Sequence, residues 1–300
     1  MNNKPTIKDW IFATRFWSFP VSSLPALIGV VYSIYKYPDC GGNWWLGLIA
    51  IVGAVLFHAA GNLISDYNDY KYGVDRKGNV VGTEMLTSGL FAPKQVLAFG
   101  LVFLFIGIAL GMFLVWKSGA GLLWVGLIGF FATVFYYVFK FKALGDLLIF
   151  IIYGPAIVMG ASYATIGFYD WNLFLVALPL VFITVSVLHA NNTRDMKNDC
   201  QAGIKTFAMV LGYKVSIIYY YILNLLPYVF IIFMVVFGIL PWVSLIAMLT
   251  VPLALKNCRA MSKIAPGDVS SINGLDKSTA QLQLPFGTLQ AIALFIVILV

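Results

Sequence analysis

The feature that most constrains this chain is a succession of apolar runs, each about long enough to cross a bilayer. Nine segments, 16–36, 44–65, 96–116, 119–139, 146–167, 171–190, 215–237, 240–255 and 282–300, approach the length that a ~30 Å hydrocarbon core demands of a helix. Charge is scarce: only 10% of the residues are Asp, Glu, Lys or Arg, against roughly a quarter in a soluble domain. The expected class is therefore all-α, a polytopic membrane protein with nine transmembrane helices. No polar stretch is long enough for a separate soluble domain, so residues 1–300 read as one domain. The first run is not expected to be a cleaved signal, because no small-residue cleavage site follows it and Asp9 stands in its polar flank.

Basic residues set the expected orientation. Of the 19 Lys and Arg, all but Lys36 and Lys117 fall on the N-terminal tail and the even-numbered loops. That asymmetry predicts a cytoplasmic N-terminus and, with nine spans, a C-terminus outside, in the cytoplasmic (inner) membrane. The net charge of +7 is then explained by topology and anionic lipid, and no nucleic acid is implied. Cys40, Cys200 and Cys258 are too few and too scattered for a disulfide framework or a zinc site.

The acids follow the same side. Of the 12 Asp and Glu, all but Asp39 and Asp170 lie with the basic loops. Two outside-to-inside helices end in similar text: HAAGNLISDYNDYKYGVD from His58 and HANNTRDMKNDCQAGIKT from His189. Four helices separate them, which suggests two similar four-helix halves, about 16–139 and 146–255, plus a ninth helix at about 282–300. The loop at 256–281 reads as an ordinary connector.

In the second stretch Asn191, Asp195 and Asp199 stand at i, i+4 and i+8, one face of a helix. In the first, Asn62, Asp66 and Asp69 stand at i, i+4 and i+7, and Asp75 follows Gly73. Carboxylates one turn apart repel, and near a bilayer they are costly to desolvate unless a cation neutralises them. Hard oxygen donors suit Mg²⁺, which completes its shell with water and substrate phosphate. Two such stripes facing each other could hold Mg²⁺ around a diphosphate. Lys71, Arg76, Arg194, Lys197 and Lys205 are placed to bind the remaining phosphate oxygens. The plainer alternative is a pair of solvated helix ends with charges matched along each helix. His58 and His189 read as packing residues at helix ends. An allylic cation would be stabilised by aromatic faces, for which Tyr67, Tyr70, Tyr72, Tyr136 and Tyr137 are candidates, Tyr137 favoured by nearby Lys140 and Asp146.

The pair NLISDYNDYKYGVDRKG and NNTRDMKNDCQAGIKT resembles the two signature motifs of the UbiA superfamily of intramembrane aromatic prenyltransferases. Its first member is most similar to the 1,4-dihydroxy-2-naphthoate polyprenyltransferases of menaquinone biosynthesis, and its second also to the animal enzyme that makes menaquinone-4. FKFKALGDLLIFIIYGP at 139–155 resembles the family's segment after helix four, and RFWSFPVSSLPALIG at 15–29 its first helix. The resemblance implies helices around a central cavity with the active site at its cytoplasmic side. It implies metal-binding roles for Asp69, Asp75, Asp195 and Asp199, motif amides at Asn62 and Asn192, and diphosphate contacts at Lys140 and Lys205. Ser65 replaces an Asn common in the family, which makes Asp66 a weaker ligand candidate than its neighbours.

The expected activity is Mg²⁺-dependent transfer of a prenyl group from polyprenyl diphosphate to 1,4-dihydroxy-2-naphthoate, with loss of CO₂, giving demethylmenaquinone. Another aromatic acceptor such as 4-hydroxybenzoate is the alternative within the class. An ion-coupled transporter is the alternative outside it, disfavoured because the acids sit at helix ends and not at the bilayer midplane.

Overall fold

A computed structural model describes residues 4–73, 84–265 and 268–300. Asp75 and Arg76, both expected in the site, lie outside the described residues. Among those described there is no strand, and nine helical spans are long and apolar enough to cross a membrane.

A short helix α1 (Ile7–Ala13) opens the chain, with Thr6 and Asp9 forming a reciprocal capping box. The Thr6 hydrogen bonds hold the Asp9 carboxyl below the ordinary aspartate value. Its charge therefore supports the cap at neutral pH and is lost only as pH falls through that lowered value. The first span begins with one 3₁₀ turn (Phe16–Ser18) and continues as α2 (Pro20–Lys36), with Pro20 at the first helical position where its missing N–H costs nothing. Then follow α3 (Trp44–Lys71), α4 (Pro93–Ser118) and α5 (Leu122–Lys140).

The fifth span is broken. Helix α6 (Gly145–Ile151) passes through a wide turn at Ile152–Ala156 before α7 (Ile157–Ile166) resumes. Gly154 there leaves the helical region, and Pro155 removes a donor. A Cβ on Gly154 would come within 2.9 Å of Val181, so the break lets this span lie close against the next. Helices α8 (Asn172–Gln201) and α9 (Phe207–Val236) follow, then a 3₁₀ stretch (Trp242–Thr250) leading into α10 (Val251–Met261), and finally α11 (Leu275–Leu299).

The acidic stretches are not loops. Helix α3 runs on to Lys71 and α8 to Gln201, so Asn62, Asp66, Asp69, Asn191, Asp195 and Asp199 all stand on continuous helix. The supposed connector at 256–281 is likewise mostly helical, because α10 runs to Met261 and α11 already begins at Leu275.

Consecutive helices pack side by side, α3 most extensively on α4 and α9 on α8, while α11 packs on both α2 and α8 and closes the ring. The best-buried apolar cluster joins α2, α8, α9 and α11 around Tyr32, Leu180, Ile183, Ile231, Met234 and Phe286. Outward faces are apolar and bare. Trp116, Trp124, Trp171 and Trp242, all strongly exposed, gather at the end opposite the acidic motifs, as an interfacial aromatic belt does. The chain is an integral membrane protein.

Candidate active site

One cavity of about 990 Å³ runs inside the ring. The first six spans and α11 line it, whereas α9 and α10 contribute no lining residue among those described. The cavity is chemically divided. One end carries Asn62, Asp69, Lys140, Asn191, Asn192, Asp195 and Asp199, and the rest is walled by glycines and apolar side chains such as Ile108, Met112, Leu123 and Phe130.

The second-motif stripe is realised as spacing predicts: Asn191, Asp195 and Asp199 all line the cavity. Arg194 binds both oxygens of Asp195, through Nε at 2.9 Å and Nη2 at 2.8 Å, and donates to Asn191 Oδ1. Its Nη1 reaches Asp276 Oδ1 at 3.1 Å, tying the first turn of α11 to the motif. Arg194 is thus enclosed by acids and does not itself line the cavity.

In the first motif, Asn62 and Asp69 line the cavity and Asp66 does not. Asp66 is buried and ion-paired with Arg15, which stands in the left-handed backbone region at φ 56° just before the first span. The i+4 carboxylate of this stripe is therefore held by a guanidinium supplied from the N-terminal segment. Asp69 Oδ2 accepts from Lys140 Nζ at 2.9 Å, which joins the end of α5 to the motif helix. Asp69 Oδ1 is buried with no hydrogen-bond partner, and the Asp199 carboxylate has no ion-pair partner, among the described residues. No group of three His, Cys, Asp or Glu side chains among the described residues is gathered tightly enough to enclose an ion. The uncommitted donors are hard oxygens on a cavity wall, the type that suits a divalent cation sharing its shell with a ligand.

Like Asp66 and Arg194, the expected contacts Lys71, Lys197, Lys205, Tyr67, Tyr70, Tyr72 and Tyr137 do not line the cavity. Lys71 is exposed with its ammonium 5.5 Å from the Tyr72 ring centroid, and Lys197 is exposed on α8. Lys205 is exposed too, but its backbone N–H donates to Phe141 O at 3.3 Å. That bond joins the segment after the second motif to the loop after α5. Tyr137 stacks on Tyr72 at 5.6 Å, while Tyr136, one position earlier, faces the cavity with Tyr153. Adjacent helical residues point about 100° apart, so a choice between two neighbouring tyrosines depends on helix rotation.

Sequence reasoning did not single out Arg15, Asp276, Lys277 or Gln283 as site residues. All line the cavity; Asp276 and Lys277 fall in the stretch that reads as a connector, and Gln283 in the ninth apolar run. Asp146 was noticed only as a neighbour of Tyr137. It is buried beneath the second motif, bonded to His189 Nδ1 at 3.0 Å and to Asn192 Nδ2 at 3.4 Å.

These features define a class: a helical membrane protein built around one amphipathic cavity, with acidic helix ends from two parts of the chain at its polar end. The chain belongs to the UbiA prenyltransferase family, whose model matches residues 12–266. It is 32% identical to UbiA prenyltransferase domain-containing protein 1 of Xenopus tropicalis over 292 residues, covering 95% of this chain and 81% of the relative. The Homo sapiens protein of the same name is 33% identical over 285 residues, covering 93% and 81%. These relatives are named for their domain and not for an aromatic acceptor. Among solved structures, a UbiA homolog from Aeropyrum pernix superposes with a TM-score of 0.70 at 16% identity, covering 92% of this chain and 97% of that one. A homolog from Archaeoglobus fulgidus bound to DMAPP and Mg²⁺ gives 0.63 at 16% identity, covering 97% and 99%. The fold is the UbiA fold, and the protein is a prenyltransferase.

Proposed function

We propose that this protein transfers a polyprenyl group from its diphosphate to 1,4-dihydroxy-2-naphthoate, releasing diphosphate and CO₂ and forming demethylmenaquinol, the reduced form of demethylmenaquinone. The observation that carries the reading is the divided cavity: acids, amides and Lys140 at one end, glycines and aliphatic side chains along the rest. A prenyl diphosphate is divided in the same way.

The donor set fits Mg²⁺. Asp69, Asp195 and Asp199 would hold it together with Asp75, with amide oxygens of Asn62 and Asn192 at hand. Bound there, Mg²⁺ would neutralise charge on the diphosphate and so make it a better leaving group. Lys140 donates to the diphosphate from the Asp69 side, adding a charge-assisted hydrogen bond. The apolar wall takes the prenyl chain and excludes water, so the allylic cation meets the acceptor before it is captured by water. Tyr136 and Tyr153 present ring faces to that cation. As the allylic C–O bond breaks, its electron pair leaves with the diphosphate. The electron-rich ring carbon bearing the carboxylate then attacks the prenyl carbon. Loss of CO₂ returns the carboxylate's bonding pair to the ring and restores aromaticity.

The acceptor reading rests on the motif resemblance to naphthoate polyprenyltransferases. The clustering of basic residues supports a cytoplasmic N-terminus, an outside C-terminus and an active site facing the cytoplasm. The His–Ala–Asn echo at His58 and His189 supports two four-helix halves.

Purified protein given Mg²⁺, a long polyprenyl diphosphate and equimolar 1,4-dihydroxy-2-naphthoate and 4-hydroxybenzoate tests the assignment by product mass. Demethylmenaquinol, or the demethylmenaquinone it becomes on oxidation in air, is expected as the dominant product. Prenylated 4-hydroxybenzoate alone would keep the chemistry and replace the acceptor.

A further inference from the structure

The two histidines of the repeated stretches are not mere packing residues. His58 precedes Asn62 by one turn on α3, and His189 precedes Asn192 by one turn on α8. In each half the histidine and the asparagine share one side chain from the beginning of the preceding span. In the first half that side chain is Ser18: its Oγ lies 3.3 Å from His58 Nε2 and accepts from Asn62 Nδ2 at 3.3 Å. Ser18 directs its own proton to Arg15 O at 2.7 Å, so toward both partners it presents lone pairs; beside it, Ser22 Oγ lies 3.1 Å from His58 Nδ1 and Thr14 O accepts from Asn62 Nδ2 at 3.0 Å. In the second half the side chain is Asp146. Oδ2 lies 3.0 Å from His189 Nδ1, and Oδ1 accepts from Asn192 Nδ2 at 3.4 Å. A carboxylate only accepts, so His189 carries its proton on Nδ1.

The positions correspond. Ser18 is the third residue of the first span and Asp146 the second of the fifth, and the motif helices are the second and sixth. In both halves the asparagine nitrogen is bound by the anchor. Each amide oxygen, with no hydrogen-bond partner among the described residues, is left for the cavity that Asn62 and Asn192 line. All three second-half groups are buried, His189 entirely. A carboxylate is an expensive group to bury; here it sits where it receives both donors.

We propose that Ser18 and Asp146 are matched positioning residues. Through His58 and His189 they fix the rotation of the two motif helices, and by binding the amide nitrogens of Asn62 and Asn192 they turn both amide oxygens toward the bound diphosphate and its metal. The inference rests on the reading that this end of the cavity binds prenyl diphosphate.

The test uses full-length Ser18→Ala, Ser18→Thr and Asp146→Asn in detergent. Thermal unfolding is followed without ligand and with Mg²⁺ plus geranylgeranyl diphosphate, and steady-state kinetics are varied in each substrate. Asp146→Asn keeps size and shape but turns one acceptor into a donor, facing a donor. The expected result is a ligand-free melting temperature close to wild type in the Ser18 variants and lowered in Asp146→Asn, where a buried donor loses its acceptor, with the ligand-induced shift clearly smaller in Ser18→Ala and Asp146→Asn. KM for the prenyl diphosphate rises about tenfold, as for groups that orient ligands to a metal, with KM for the acceptor within about twofold. Ser18→Thr, which retains the hydroxyl, restores wild-type values. A normal ligand-induced shift and normal prenyl diphosphate KM in both Ser18→Ala and Asp146→Asn would overturn the inference while leaving the proposed function standing. So would a loss of activity that follows only the loss of folded protein. Absence of any ligand-induced shift in the wild type would instead overturn the proposed function and the inference with it. Should Asp146→Asn fail to fold, Ser18→Ala, an exchange at a half-buried hydroxyl, decides alone.

Discussion

Asp69 and Lys140 illustrate how one contact serves folding and chemistry together. Their 2.9 Å ion pair is largely shielded from solvent, and Asp69 Oδ1 already lacks a protein partner among the described residues. Lys140→Ala is expected to lower the stability of the metal-free protein by about 2 kcal/mol, since it leaves a buried carboxylate uncompensated. It should also raise KM for the prenyl diphosphate. Mg²⁺ should recover more stability in that variant than in the wild type, because the carboxylate regains a cation; thermal unfolding with and without Mg²⁺ measures both effects. The neighbouring tyrosines offer a sharper contrast. Tyr136 faces the cavity and Tyr137 stacks on Tyr72 outside it. Tyr136→Ala should lower kcat by about tenfold, the scale of a desolvated cation–π contact, and Tyr137→Ala by less than about threefold. Equal losses in the two variants would contradict the placement.

At the scale of the element, the glycines of α4 and α5 shape the apolar length of the cavity. A Cβ built on Gly111, Gly126 or Gly129 meets no atom within 4 Å, and all three line the cavity. Gly126→Leu should therefore fold normally and place its side chain where a prenyl tail would run. Turnover with the longest polyprenyl diphosphates should fall at least several-fold relative to geranyl diphosphate, read from competition between donors. Gly29 is the opposite case: its Cβ would collide with the Val158 carbonyl where α2 and α7 touch. Gly29→Ala should cost about 1–3 kcal/mol, the range of overpacked cores. Much of this architecture is legible in the sequence, because hydrophobic length and periodicity report spans directly. The apolar runs found every helix that crosses, and the i, i+4, i+8 spacing found the second stripe, since a helix translates spacing into a face without help from its neighbours. What spacing cannot supply is which neighbour approaches that face. Arg15 reaches Asp66 across 51 positions, and Arg194 meets Asp276 on the last helix; both pairings depend on how the ring closes. The polar composition of 256–281 resembles a loop, yet Asp276, Lys277 and Gln281 make a helical wall of the cavity because α11 starts inside that stretch.

For the whole molecule, the proposed orientation is accessible through the protein's own cysteines. Cys40 lies in the connection after the first span and the exposed Cys200 near the end of the second motif, while Cys258 is buried. In the proposed orientation, a membrane-impermeant maleimide should label Cys40 in spheroplasts and Cys200 in inverted vesicles; the reverse pattern would invert the topology. The ring brings motif helices distant in sequence to one end of one cavity, and the central claim is that they act there as a single diphosphate-ionising site. Groups that act as a unit are strongly non-additive. The most direct measurement is kcat/KM for the prenyl diphosphate, with saturating Mg²⁺ and acceptor, in Asp69→Ala, Asp195→Ala and the double variant. The account predicts that each single change lowers it by at least about a hundredfold and that the double variant is scarcely worse than the poorer single one. Near-normal turnover in either single variant, or losses that multiply in the double, would contradict it.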